Sequence, residues 1–384
     1  MKFCIILILF IGVCNLNALP NTWTGAGGDN LWSNPSNWTS GVPSAVDTVV
    51  INGALSGVIV SGNKSIARLE ISNSILNTTA SWSISDSIFI DVLSTVNWNA
   101  SPWAEGVYVN YGVINFNVPS GTVLFLNARL HNYGVFNHMV GNIAFWGTAI
   151  NEESGVFNIL CENCLLNGTS NLTSEFFDNG QIKRNGSGAA RISVKYTGNG
   201  LLTIENGELV FKNGQTVFEE EIVEIAELGT LLFEAGKING RIAGENLGSF
   251  IIQNFNVAGK SELNVSDNGV RWEFSNWSGV DTLTNNGILS YTSTTDNMLL
   301  AGLTLENNGI FNLKPDSFLD LLSIQGELLN NGVIDIQNDC AIGGSGTFLN
   351  RGSIIKSGGN GKSSINMTLP ESGNIQVQIG TLKI

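Results

Sequence analysis

NNGIFNLK, residues 307–314, decides the fold because the chain keeps repeating it. Close copies are NYGVINFN from Asn110, NYGVFNHM from Asn132, NNGILSYT from Asn285, NNGVIDIQ from Asn330 and NRGSIIKS from Asn350. Looser copies begin at Glu153, Asp178, Gly198, Asn246, Asp267 and Glu371. Most steps between their glycines are 18 to 25 residues, so the period is about 21. Self-similarity at that spacing marks a solenoid. Within each phrase apolar residues alternate, as Phe311 and Leu313 do against Ile310, Asn312 and Lys314, which describes a strand with one buried face. An Asn-Gly hairpin would pair neighbouring segments antiparallel, but identical phrases one period apart stack in register only as parallel coils.

The expected fold is therefore all-β: a single-stranded parallel β-helix whose coil of about 21 residues holds three short strands and three turns. Each Asn-x-Gly is placed at a corner, where Gly accepts positive φ and Asn tolerates the left-handed region. Coils about 4.8 Å apart would set Asn above Asn in an amide ladder. Residues 53–384 form the solenoid in this reading, irregular to about 111 and regular afterwards. FEEEIVEIAEL, Phe218 to Leu228, carries some helical spacing, but its alternation favours a strand with a charged face.

Residues 1–18 read as a secretory signal peptide: Lys2, the apolar run Phe3 to Val13, and Ala18 before the cut. That run is too short to cross a bilayer, and no later stretch suggests a membrane span. Charged residues are 13% of the chain and the net charge is −14, so nucleic acid is not an expected partner. Cys161 and Cys164 in CENC could form a local disulfide on an oxidising route. A metal at that CxxC would need further ligands, and His131 and His138 are the only histidines, so no metal or other cofactor is expected. Cys340 is then a small buried residue.

TWTGAGGDNLWSNPSNWTSGVPSAVDTVVIN, residues 22–52, stands outside the repeat. With residues 19–21 it is read as a Trp-rich N-terminal cap, since an open solenoid end must be covered. The competing reading is a sugar platform of Trp23, Trp32 and Trp38 with Asp29 or Asp47. The pattern Trp23, Gly25, Trp32, Asn37, Trp38, Gly41, Pro43, Asp47, Val49 and Ile51 resembles the opening of large secreted surface proteins. Together with the solenoid phrase, it is similar to the passenger repeats of autotransporter and filamentous-haemagglutinin-like adhesins. That resemblance implies a β-helix displayed outside the cell.

A secreted structural or adhesive protein, extracellular or at the cell surface, is thus expected to bind polysaccharide, a cell-surface glycan or a wall without catalysis. The dense pairs Trp98/Trp103 and Trp272/Trp277 are its candidate binding residues. The alternative is a polysaccharide lyase or glycoside hydrolase of the β-helix type. Asp316 and Asp335, and Asp320 and Asp339, are each 19 apart and would be its paired acids on stacked coils. Ten Asn-x-Ser/Thr sequons, Asn37 among them, permit glycosylation but are close to what such a composition produces by chance. The last phrase, QIGTLKI, is itself a strand phrase and implies end-to-end stacking or continuation in a larger assembly.

Overall fold

Equivalent phrases lie side by side, each strand pairing with the one a coil earlier and a coil later. Val113–Phe116 pairs with Val135–His138, Ile310–Leu313 with Val333–Ile336, and Val333–Ile336 with Ser353–Lys356, all parallel. This is a computed structural model, describing residues 19–384 except 80, 101, 105, 126–127, 169–173, 213–215, 274–275, 293–297, 316–320 and 372. The signal-peptide reading falls on residues 1–18, outside the described residues. The result is a parallel β-solenoid, 66% strand, with about 21 residues per coil over about 14 turns. Among the described residues the only helical element is a 3-10 turn, Pro35–Asn37. Val217–Asn246 is one long strand bent around the coil, so the charged-faced strand reading of Phe218 to Leu228 holds.

Alternation decides which side chains enter the core. Strands such as Thr304–Asn307 and Val333–Ile336 bury every second residue. Each fully buried Phe or Leu contributes about 1.5–3 kcal/mol. Aromatic rings continue from coil to coil: Phe136 stacks on Phe157, and the chain of contacts runs on through Phe176, Tyr196, Phe211 and Phe233.

The asparagines stack as expected, but inside the molecule. Asn110 donates to Asn132, Asn132 to Asn151 and Asn151 to Asp178, at 2.7–2.8 Å. A second ladder runs Asn285, Asn307, Asn330, Asn350 with the same spacing. Each rung's Nδ2 also reaches the carbonyl that opens the next coil's strand, as Asn307 does to Val333 at 3.0 Å. Polar groups this buried are tolerated because the ladder satisfies them.

The glycines correct the sequence expectation. Gly134, Gly309, Gly332 and Gly352 do not have positive φ; of the twelve repeat glycines only Gly269 and Gly373 do. Their side-chain hydrogen points at the preceding coil. A Cβ on Gly332 would press into the carbonyl of Gly309, and one on Gly309 into that of Gly287. Glycine is required here by close stacking of backbones. Nor do the ladder asparagines use left-handed backbone, since the non-glycine residues with positive φ are Asn73 and Asp267.

Candidate functional site

The N-terminal tryptophans pack together. Trp38 lies between Trp23 and Trp32 at 5.0 and 4.6 Å between ring centroids, and Trp32 meets Trp82 of the solenoid at 5.1 Å. The Trp38 indole N–H donates to the Trp32 carbonyl at 2.7 Å. Asp29 accepts from Asn34 and Asn37 at 2.9 and 2.8 Å, which holds its carboxyl below the usual range. Asp47 accepts the Ser44 backbone N–H at 2.6 Å. These side chains hold loops together and leave no aromatic face open. Asn37, one of the sequons, is fully buried with its amide engaged.

The proposed tryptophan platform is corrected by burial. Trp98 is 2% exposed and Trp272 and Trp277 are 0%, with the latter two stacked at 4.1 Å in the core. A ring so enclosed offers no face to a sugar. Trp103 lies in the short strand Pro102–Ala104, where its backbone pairs with Ser83.

The paired-acid arrangement fails on register. Local coil steps are 23 residues before Asp335 and 20 after it, so its neighbours are Asn312 and Ile355. A separation of 19 therefore does not place Asp316 at Asp335's rung; Asp316 and Asp320 themselves lie outside the described residues. Asp335 accepts from Gln337 and Ser357 at 3.0 and 2.5 Å. Asp339 binds the Lys356 ammonium and the Gly361 N–H, each at 2.8 Å. The Lys356 hydrogen bond holds the Asp339 carboxyl below its ordinary range. Because Lys356 is fully buried, this acid neutralises a charge inside the coil.

The exposed aromatics lie elsewhere. Phe89, Tyr111 and Tyr133 form a column across three successive coils, with centroids 5.7 and 4.7 Å apart and the two tyrosines nearly parallel. Phe89 is 41% and Tyr111 43% exposed. His131 stacks against Tyr133 at 6.5 Å and pairs with Glu152 at 2.8 Å. The charge of Glu152 raises the Tyr133 pKa, keeping its hydroxyl protonated as a donor. A groove of about 420 Å³ continues from there, lined by Tyr133, Glu152, Glu153, Ser154, Asn179 and Asn199. On another strand of these coils, half-buried Asn77, Asn97, Asn115, Asn137 and Asn158 form an outward ladder at 2.7–2.8 Å. The sequence carried a signal for the column: both tyrosines occupy the middle of consecutive Asn-Tyr-Gly phrases.

Two buried polar clusters complete the inventory. Cys161 and Cys164 form a disulfide beside His138, and Cys340 is buried with its thiol intact. Further along the coil stack the Tyr196 hydroxyl lies 3.4 Å from Asp178 and 3.3 Å from Glu221. Burial pushes Asp178 up to about 6, and Glu221 is raised well above its usual value by burial and by the charge of Asp178.

The fold and surface define a parallel β-solenoid with one exposed aromatic column and shallow polar grooves. Compared with protein-family models, curated proteins and solved structures, the chain has no match.

Proposed function

We propose that this is a secreted structural or adhesive β-solenoid that binds extracellular polysaccharide or a cell-surface glycan without cleaving it. One observation carries the reading: the Phe89–Tyr111–Tyr133 column opens onto a groove of amide, hydroxyl and carboxylate groups. Aromatic surface beside hydrogen-bonding side chains matches the mixed apolar and hydroxylated faces of sugars. The stacked coils repeat this chemistry along the rod, suiting a long polymer better than a small ligand. Export fits the signal-peptide pattern of residues 1–18 and the Cys161–Cys164 disulfide, because disulfides persist mainly in oxidising compartments. The non-catalytic part of the reading is supported by the engagement of Asp335 and Asp339 in structural bonds.

The test is retention on a panel of insoluble and acidic polysaccharides, with reducing ends measured in parallel. Wild type should be retained on at least one polymer without generating new ends. The double variant Tyr111→Ala/Tyr133→Ala should bind about tenfold more weakly, about 1.4 kcal/mol, the scale of one lost aromatic contact. Unchanged retention in that variant would remove the column from the site. New chain ends would make the protein an enzyme.

A further inference from the structure

His138 points into the coil, in register between Phe116 and Ile159, and is fully buried. Its Nε2 lies 2.8 Å from the Gly141 carbonyl, which assigns the ring proton to that nitrogen. Nδ1 is then left with a lone pair and no hydrogen-bond partner. Burial lowers the His138 pKa to about 4, so the imidazole is neutral and competent as a ligand at neutral pH. A ring nitrogen of His138 and the sulfurs of Cys161 and Cys164 all lie within 4.8 Å of one another. In a three-coordinate site with bonds near 2.0–2.3 Å, ligand atoms sit roughly 3.5–4 Å apart, within reach of side-chain rotation.

Arg184 supplies an independent observation. It too is fully buried, directly after Ile159 in the same stack. Its guanidinium donates to the carbonyls of Ile159, Cys161, Glu162, Ser187, Gly188 and Glu208. Every one of these partners is a neutral carbonyl, so a buried cation lies beside the cysteine loop with no carboxylate bonded to it. A buried charge is expensive without a counter-charge. Two thiolates at Cys161 and Cys164 would provide one.

We propose that Cys161, Cys164 and His138, when the disulfide is reduced, form a buried three-coordinate site for Cu(I). Two thiolates, one neutral imidazole and Cu(I) sum to one negative charge, which the Arg184 guanidinium balances. Zn(II) on the same ligands leaves the arginine uncompensated, and a structural zinc takes four ligands, whereas soft thiolates favour Cu(I). Opening the site requires a dithiol reductant. The Cys161–Cys164 bond breaks and takes up two electrons and two protons, while the reductant's own thiols close to a disulfide. Cu(I) then displaces both thiol protons and forms two Cu–S bonds and one Cu–N bond. Access is from a surface cleft of about 540 Å³, lined in part by Cys161 and by Met139, whose thioether is a soft first contact.

The experiment is anaerobic titration of the dithiol-reduced full chain with Cu(I) against a Cu(I) chelator, followed by X-ray absorption at copper. The reduced wild type should retain one Cu(I), with two sulfur neighbours and one nitrogen. Oxidised protein and Cys161→Ser/Cys164→Ser should retain none against the chelator. His138→Gln should lose more than the roughly 10–100-fold that removing an outer partner costs a metal site. Cys340→Ser should behave as wild type, which excludes the third thiol. Circular dichroism of the reduced protein controls for folding. Loss of β-structure on reduction overturns the proposal, as does copper retention no better than in the double cysteine variant, or a copper shell without nitrogen.

Discussion

Gly332 has an ordinary φ, so freedom of its backbone is not why glycine stands there. The Gly309 carbonyl of the preceding coil occupies the space a Cβ would need. The two explanations differ in sign. If only conformational freedom mattered, Gly332→Ala would stabilise the fold by about 0.4–1 kcal/mol through the unfolded chain. Close stacking instead predicts a loss of about 1–3 kcal/mol, the usual cost of forcing a methyl into filled space. Urea unfolding of Gly332→Ala against wild type settles it, and a stabilised variant would refute the packing account. Asn307 illustrates the other half of the phrase. Its amide donates to Asn330 and Val333 while its oxygen accepts from Asn285, so one side chain bonds to the coils on either side.

Among the strands, the weak point is where the first asparagine ladder stops. Asn151 donates to Asp178, but Asp178 pairs in register with Gly198, which has no side chain to continue the rung. Glu221 from the following coil fills that space, with Tyr196 between the two acids. Burial raises both folded-state pKa values, Asp178 to about 6 from the model value of 3.8. Between those values the native state therefore holds more protons than the unfolded chain. Stability from Asp178 is fully present below about pH 4 and is lost as the pH rises through about 6. Glu221, raised further, extends the loss to higher pH. Asp178→Asn restores an amide to the ladder and removes the repulsion. It should melt higher than wild type at pH 8, with the advantage shrinking or reversing at pH 4. Thermal melts at the two pH values test this, and a variant less stable at pH 8 would contradict it.

Across the whole molecule, about 14 turns at about 4.8 Å make a rod of roughly 65–70 Å. Small-angle scattering of the monomer should give an elongated particle whose solenoid axis has that length; a compact sphere would be incompatible with the stacked register. Such a rod carries its chemistry on rows. One residue's outward position is repeated a coil later, which is how Phe89, Tyr111 and Tyr133 become a continuous strip.

The sequence by itself determined the architecture, because a repeat near 21 residues with period-two alternation has one economical solution: stacked parallel strands. It also foretold the amide ladder, since identical residues one coil apart must meet. Tertiary structure decided everything that depends on which face a residue takes and on the length of each local coil. Trp98, Trp272 and Trp277 belong to the core because alternation turns them inward, and composition cannot distinguish an inward ring from an outward one. Asp335 misses Asp316's rung because the coil step there is 23 residues, not 19, a difference set by turn length rather than by the strand phrase. The approach of His138 to Cys161 and Cys164 was likewise settled by stacking, which brings residues over twenty positions apart within reach of a single ion.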